Sequence, residues 1–168
     1  YDYAGPKYQI DSIVSSSNGS KLATYPSKLV SGKIWTSIDG GFSWTERDVL
    51  GNGNAQRWSS MAMSSDGSKL AASSQNGYIY QSSDGGDTWT ATTVAGSKQW
   101  GPIVMSSDGT KLAALANDNN IYTSTDSGAT WNNYTAPGSN GSTRVDLVSS
   151  SDGTKLAAIV STGYIYTS

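Results

Sequence analysis

The sequence predicts an all-β fold made of four tandem repeats, each supplying most of a four-stranded antiparallel blade. A motif of the form S-S-D/N-G-x-K-L-A recurs around Lys21, Lys69, Lys111 and Lys155, at spacings of 48, 42 and 44 residues. A short hydrophobic segment such as YIY follows each motif, and no stretch shows the 3.6-residue apolar period of a helix. A repeat of this length, built from short strands and turn residues, is typical of a β-propeller.

Each repeat contains three recognisable strands. The first is the apolar stretch before the motif, the second is KLAA, and the third is YIY or its equivalent. The Asp-Gly or Asn-Gly pair between the first two strands favours a tight turn with positive φ. We place the repeats at approximately 10–57, 58–99, 100–143 and 144–168 plus 1–9, and treat residues 1–168 as a single propeller domain or half-propeller.

The fourth repeat stops at its third strand. The segment YDYAGP at 1–6 is similar to NNYTAP at 132–137, which follows the third repeat's last motif. Residues 1–9 are therefore predicted to supply the fourth strand of the last blade. They can do so within one chain, giving a four-bladed monomer, or between two chains, giving an eight-bladed homodimer. Because four blades require strongly twisted sheets around a tight axis, we favour the homodimer through N-terminal strand pairing.

Three repeats continue into SIDGGFSW, SSDGGDTW and STDSGATW. These segments resemble the Asp box, S-x-D-x-G-x-T-W, of the bacterial neuraminidase repeat family. The resemblance implies a hairpin on the outer rim of a propeller, in which the aspartate accepts amide hydrogen bonds, the glycine has positive φ and the tryptophan packs between hairpin and sheet. The structural residues would be Ser37, Asp39, Gly41 and Trp44; Ser82, Asp84, Gly86 and Trp89; and Ser124, Asp126, Gly128 and Trp131. The alternative, a row of catalytic or calcium-binding aspartates, does not fit the family's use of the motif.

The composition disfavours several functions. The net charge is −2 with only 14% charged residues, so we expect no nucleic-acid partner. No apolar run approaches the roughly 20 residues that span a bilayer, so membrane insertion is not expected. The chain has no cysteine, no histidine and a single glutamate, Glu46, which argues against an enzyme, a metal site and a cofactor. Sialidase activity is an unfavoured alternative, although the chain contains Arg47, Arg57 and Arg144. The chain begins at Tyr1 without a leader, so we expect any signal peptide to have been removed already. The three N-x-S/T sequons favour a secreted protein.

A candidate ligand site comes from a recurring position eleven residues before each aligned lysine. Tryptophan occupies that position in two repeats, and neighbouring residues are arginine or glutamine, which suits a sugar ring stacked on an indole. The candidate residues are Arg57, Trp58, Gln99, Trp100 and Arg144. The alternative for both tryptophans is packing between blades. The sequence thus predicts a non-catalytic, lectin-like carbohydrate-binding module, and the competing hypothesis is a structural, self-assembling propeller scaffold or fragment.

Overall fold

The computed structural model describes residues 9–26, 31–51, 53–118, 120–135, 144–160 and 165–168. Within these residues the chain forms fifteen β-strands in four antiparallel sheets. The strands of each sheet lie in sequence order, so every sheet is a simple meander. The all-β propeller architecture predicted from the repeats is confirmed.

We number the sheets as blades 1 to 4. Blade 1 contains β1 (Ile10–Ser15), β2 (Leu22–Pro26), β3 (Ile34–Ser37) and β4 (Thr45–Arg47). Blade 2 contains β5 (Trp58–Met63), β6 (Leu70–Ser74), β7 (Ile79–Ser82) and β8 (Thr90–Thr92). Blade 3 contains β9 (Trp100–Met105), β10 (Leu112–Ala116), β11 (Asn120–Ser124) and β12 (Asn132–Thr135). Blade 4 contains β13 (Arg144–Ser149), β14 (Leu156–Val160) and β15 (Ile165–Thr167).

The pairing of the first two strands shifts register at the same place in every blade. In blades 1, 2 and 4 the shift comes directly after the first residue of the first strand, β1, β5 or β13. In blade 3 it lies between Ala114 and Ala116 of β10, opposite the start of β9. A bulge of this kind bends the strand and changes the direction of the side chain at its start. In blades 2 and 3 that side chain is Trp58 or Trp100, and both are buried.

The hydrophobic core is divided among the spaces between blades. One cluster, including Tyr25, Trp58 and Tyr80, joins blades 1 and 2, and a second, including Trp100 and Ile103, joins blades 2 and 3. A third and smaller cluster joins blades 3 and 4. We call the side of a blade that meets the preceding blade its leading face, and the side that meets the following blade its trailing face.

The four described blades form an arc, with contacts between consecutive blades. Large apolar side chains are exposed on the leading face of blade 1 and the trailing face of blade 4. The described residues therefore do not form the closed four-bladed ring that the sequence left open as one alternative. Of residues 1–9, which the sequence predicts to supply a fourth strand to blade 4, residues 1–8 lie outside the described residues. No helix in the described part of the chain is long and apolar enough to cross a membrane.

Candidate functional site

The two tryptophans of the predicted ligand site are packing residues. Trp58 and Trp100 are only 1% and 2% exposed, and each makes an edge-to-face contact with an aromatic ring of its own blade, Tyr80 or Tyr122. An indole buried to this extent presents no face to a sugar. The stacking role proposed for these rings is therefore not supported by the geometry, and the packing alternative describes them.

Two polar members of the predicted site, Arg57 and Gln99, belong to different blades. Arg57 and Gln99 are exposed at the starts of blades 2 and 3. The Gln99 Oε1 accepts a hydrogen bond from Asn117 Nδ2 at 2.9 Å, which ties it to the neighbouring loop. Arg144 begins β13. A ligand role for these three residues remains a prediction.

A small charged cluster lies next to Gln99 and Asn117, at the turn between β10 and β11. Lys98 Nζ lies 3.0 Å from Asp118 Oδ2, and the Tyr122 hydroxyl donates to the same carboxylate oxygen at 2.6 Å. The hydrogen bond with Tyr122 and the contact with Asp118 raise the pKa of Lys98. Burial opposes ionisation of Asp118, but the hydrogen bonds from Tyr122 and Lys98 outweigh it and lower the Asp118 pKa. Because these partners satisfy its carboxylate, Asp118 stabilises the turn between β10 and β11. No group of three or more His, Cys, Asp or Glu side chains that could hold a metal ion occurs among the described residues.

The Asp boxes are hairpins held by their own side chains. In the first box the Ser37 hydroxyl donates to Asp39 at 2.7 Å and accepts from the Gly41 amide at 2.9 Å. Asp39 accepts from the Ser43 amide at 2.9 Å, and Trp44 Nε1 donates to the Gly41 carbonyl at 3.0 Å. The same four kinds of bond recur in the boxes that contain Ser82, Asp84, Gly86 and Trp89, and Ser124, Asp126, Gly128 and Trp131.

These bonds also explain the ionisation of the box aspartates. Hydrogen bonds from Ser43 and Thr130 hydroxyls and amides stabilise the charged carboxylates and lower the pKa of Asp39 and of Asp126 to about 2. The Asp84 pKa is lowered in the same way by Thr88. Positive φ values of 95°, 94° and 82° at Gly41, Gly86 and Gly128 let the chain turn back under the serine. The aspartates are thus fully engaged in the turn rather than free for chemistry.

The Asp-box hairpins also join neighbouring blades. Trp89 packs against the cluster between blades 1 and 2, and Trp131 packs against the cluster between blades 2 and 3. A Cβ at Gly86 would lie 2.8 Å from Thr36 Cγ2 of blade 1, and a Cβ at Gly128 would overlap Gln81 of blade 2. Each hairpin therefore sits on the third strand of the blade before it.

The corresponding place on blade 3 is a groove. It has a volume of about 380 Å³ and runs between blades 3 and 4. Its apolar walls include Val104, Ile121, Tyr134, Leu147, Leu156 and Tyr166. Thr123, which occupies the third-strand position of Thr36 and Gln81, also lines it. The groove is therefore the equivalent of the space that Trp89 and Trp131 fill between the earlier blades.

One edge of the groove is formed by the third strand of blade 4. β15 pairs with β14, and no strand among the described residues pairs with its other edge. In blades 1 to 3 that edge carries β4, β8 or β12. The repeat spacing indicates that blade 4 reaches only its third strand by Ser168, whereas no motif in the sequence marks the groove.

Comparison with known proteins identifies the family. The family model described as "Photosynthesis system II assembly factor YCF48" matches residues 29–168. The chain belongs to that family. It is a propeller family of the bacterial neuraminidase repeat type, so the resemblance of the Asp boxes to these repeats is supported at this coarser level. No curated protein sequence matches the chain.

Solved structures agree on the fold of this family member. A structure of YCF48 bound to D1 peptide has a TM-score of 0.70 at 17% identity, covering 95% of this chain and 49% of that chain. The Cps50 (Swd1) β-propeller domain of Myceliophteria thermophila has a TM-score of 0.71 at 13% identity, covering 96% and 52%. The GH74 enzyme of Niastella koreensis has a TM-score of 0.64 at 16% identity, covering 95% and 22%. These similarities establish the propeller fold. The chain spans about half the length, or less, of these structures.

Proposed function

We propose that this chain is a non-catalytic propeller scaffold that binds an extended polypeptide strand in the groove between blades 3 and 4. The observation that carries the proposal is the equivalence of this groove to the two spaces that Asp-box hairpins occupy elsewhere in the molecule. The occupant it fits is a hairpin-like strand with a tryptophan, of the kind that the chain itself contains at 124–135.

The groove offers both parts of strand recognition. The outer edge of β15 supplies main-chain N–H and C=O groups that an added strand pairs with. The apolar walls supply a pocket for one large side chain, and side-chain pockets give such complexes their specificity. An exposed strand edge is otherwise a template for unwanted pairing, which natural sheets cover or block.

The relatives support a polypeptide partner. The family is described as an assembly factor, and one relative is a YCF48 bound to D1 peptide. The sugar-binding hypothesis lacks comparable support, because the two indoles on which it depended are buried. It remains testable on a glycan array, where strong binding of one glycan class would favour it over the scaffold.

The test uses a fluorescein-labelled peptide with the sequence of residues 124–135, STDSGATWNNYT, and the full chain, with fluorescence anisotropy as the readout. Saturable binding is expected, and replacing the peptide's tryptophan with alanine should weaken it about tenfold or more, as for a buried aromatic anchor. Equal binding of the two peptides, or no binding of either, would refute the proposed function.

A chain variant locates the binding. Thr123→Arg places a long side chain in the groove and should weaken peptide binding, whereas Thr45→Arg, at an exposed position on β4, should not. Both variants should melt as the unmodified chain does. If Thr45→Arg weakens binding as much as Thr123→Arg, the peptide is not in the groove.

A further inference from the structure

Neighbouring blades are joined by a repeated polar lock at the turn between their first two strands. The aligned lysine of one blade lies over the turn glycine of the next. Lys69 Nζ donates to the Asp108 carbonyl at 3.1 Å, and Lys111 Nζ donates to the Asp152 carbonyl at 2.8 Å. A Cβ at Gly109 or Gly153 would lie 2.5 Å or 2.9 Å from the preceding lysine's side chain. The lysine stem therefore needs a glycine beneath it.

A backbone bond accompanies each lock. The amides of Ser17, Ser65 and Ser107 donate to the carbonyls of Ser65, Ser107 and Ser151 in the following blades, at 2.8, 2.8 and 2.7 Å. Three junctions thus share one geometry, in which each turn donates forward to the next. The repetition shows that the lock belongs to the repeat and is not specific to one pair of blades.

The trailing face of blade 4 carries the first half of this junction. Val148, Ile159 and Ile165 are 57%, 41% and 71% exposed. Their counterparts on blade 3, Val104, Leu115 and Ile121, pack in the cluster between blades 3 and 4. Lys155, the counterpart of Lys69 and Lys111, is exposed beside this face.

The leading face of blade 1 carries the second half. Ile13 is 56% exposed, whereas its counterparts Met61, Ile103 and Leu147 are buried. Gly19 has the positive φ of the other turn glycines, but nothing lies within 4 Å of the position of its Cβ. The place that a preceding blade's lysine fills at Gly67, Gly109 and Gly153 is therefore open at Gly19.

We propose that the trailing face of blade 4 in one copy of this chain packs against the leading face of blade 1 in a second copy. Lys155 of one copy then lies over Gly19 of the other, the Ser151 amide faces the Ser17 carbonyl, and the two apolar faces cover each other. The second copy is the favoured occupant because each end of the arc carries the complement of the other. Two copies of this 168-residue chain together supply eight such blades.

The junction is heterologous, with different surfaces in contact, and two copies joined twice in this way close a ring of eight blades. The proposal goes beyond the proposed function and does not depend on it. Peptide binding uses the groove on the leading side of blade 4, whereas self-association uses the trailing face. Either can therefore fail while the other holds.

Sedimentation velocity over a wide concentration range tests the association. The expected species has twice the 17.6 kDa chain mass. Ile165→Asp should shift the population to monomer, since it places a charge in the apolar contact. Ile38→Asp is the matched control, because Ile38 is 72% exposed and its counterpart Ser83 stays exposed in blade 2, which has a blade on each side. A monomer at every concentration, or equal dimer content in the two variants, would overturn the proposal.

Crosslinking tests which surfaces meet. The chain has no cysteine, so single Lys155→Cys and Ser17→Cys variants at exposed positions give unique sites. A short bis-maleimide should crosslink a mixture of the two variants, and neither variant with itself. The Lys111→Cys, Ser151→Cys double variant calibrates the reagent, because these residues form the same junction within one chain. Crosslinking of each variant with itself at equal yield would contradict a head-to-tail contact.

Discussion

Trp58 and Trp100 provide a controlled comparison of one hydrogen bond. They begin equivalent strands, are almost completely buried, and contact Tyr80 and Tyr122 edge-to-face at centroid distances of 5.5 and 5.0 Å. They differ at the indole nitrogen. Trp58 Nε1 donates to the Gly32 carbonyl at 2.8 Å, whereas Trp100 Nε1 is buried and has no hydrogen-bond partner among the described residues.

Replacing each tryptophan with phenylalanine should therefore have unequal effects. Both changes remove similar apolar volume. Trp58→Phe also loses a hydrogen bond with a net value of about 1 kcal/mol, while Trp100→Phe removes an unsatisfied buried donor that costs about 1–3 kcal/mol. We expect the free energy of unfolding to fall by about 2–4 kcal/mol more for Trp58→Phe than for Trp100→Phe.

Urea unfolding followed by circular dichroism measures this difference directly. The two variants should be compared at the same chain concentration, so that self-association affects both equally. Equal losses, or a larger loss for Trp100→Phe, would show that the indole hydrogen bond does not control the stability of this position.

Three further predictions concern other parts of the fold. Trp131→Ala should lower the unfolding free energy by about 3 kcal/mol because its ring joins two blades, while exposed Val94→Ala should change little; equal effects in urea would refute this. The lowered pKa of Asp108 and Asp152, about 2 each, means that their stabilisation is complete above the unfolded value near 3.9 and is lost as pH falls towards 2. Melting temperature should therefore drop between about pH 4 and pH 2, and a flat profile would contradict it. Deleting residues 1–9, which the sequence predicts to cover the β15 edge, should cause aggregation seen by light scattering; an unchanged mass and melt would exclude that role and leave the edge free for a peptide.

The sequence alone determined the repeat, the strand order and the Asp-box hairpins. These features are local, since turn glycines, alternating apolar residues and short-range hydrogen bonds act within a few residues of one another. The recurrence of the lysine motif also identifies which positions are equivalent in the four repeats. That register is the basis of the comparisons between blades.

Only the tertiary structure decided what those equivalent positions do. Burial of Trp58 and Trp100 depends on how the neighbouring blade approaches, so the sequence could not distinguish an indole that packs from one that binds a sugar. The open turn at Gly19 and the filled turn at Gly67 differ in sequence only by Asn18 and Asp66, and the lysine that fills a turn comes from another blade. Contacts between blades are made by residues distant in the chain, and their presence or absence is settled only when the blades are placed side by side.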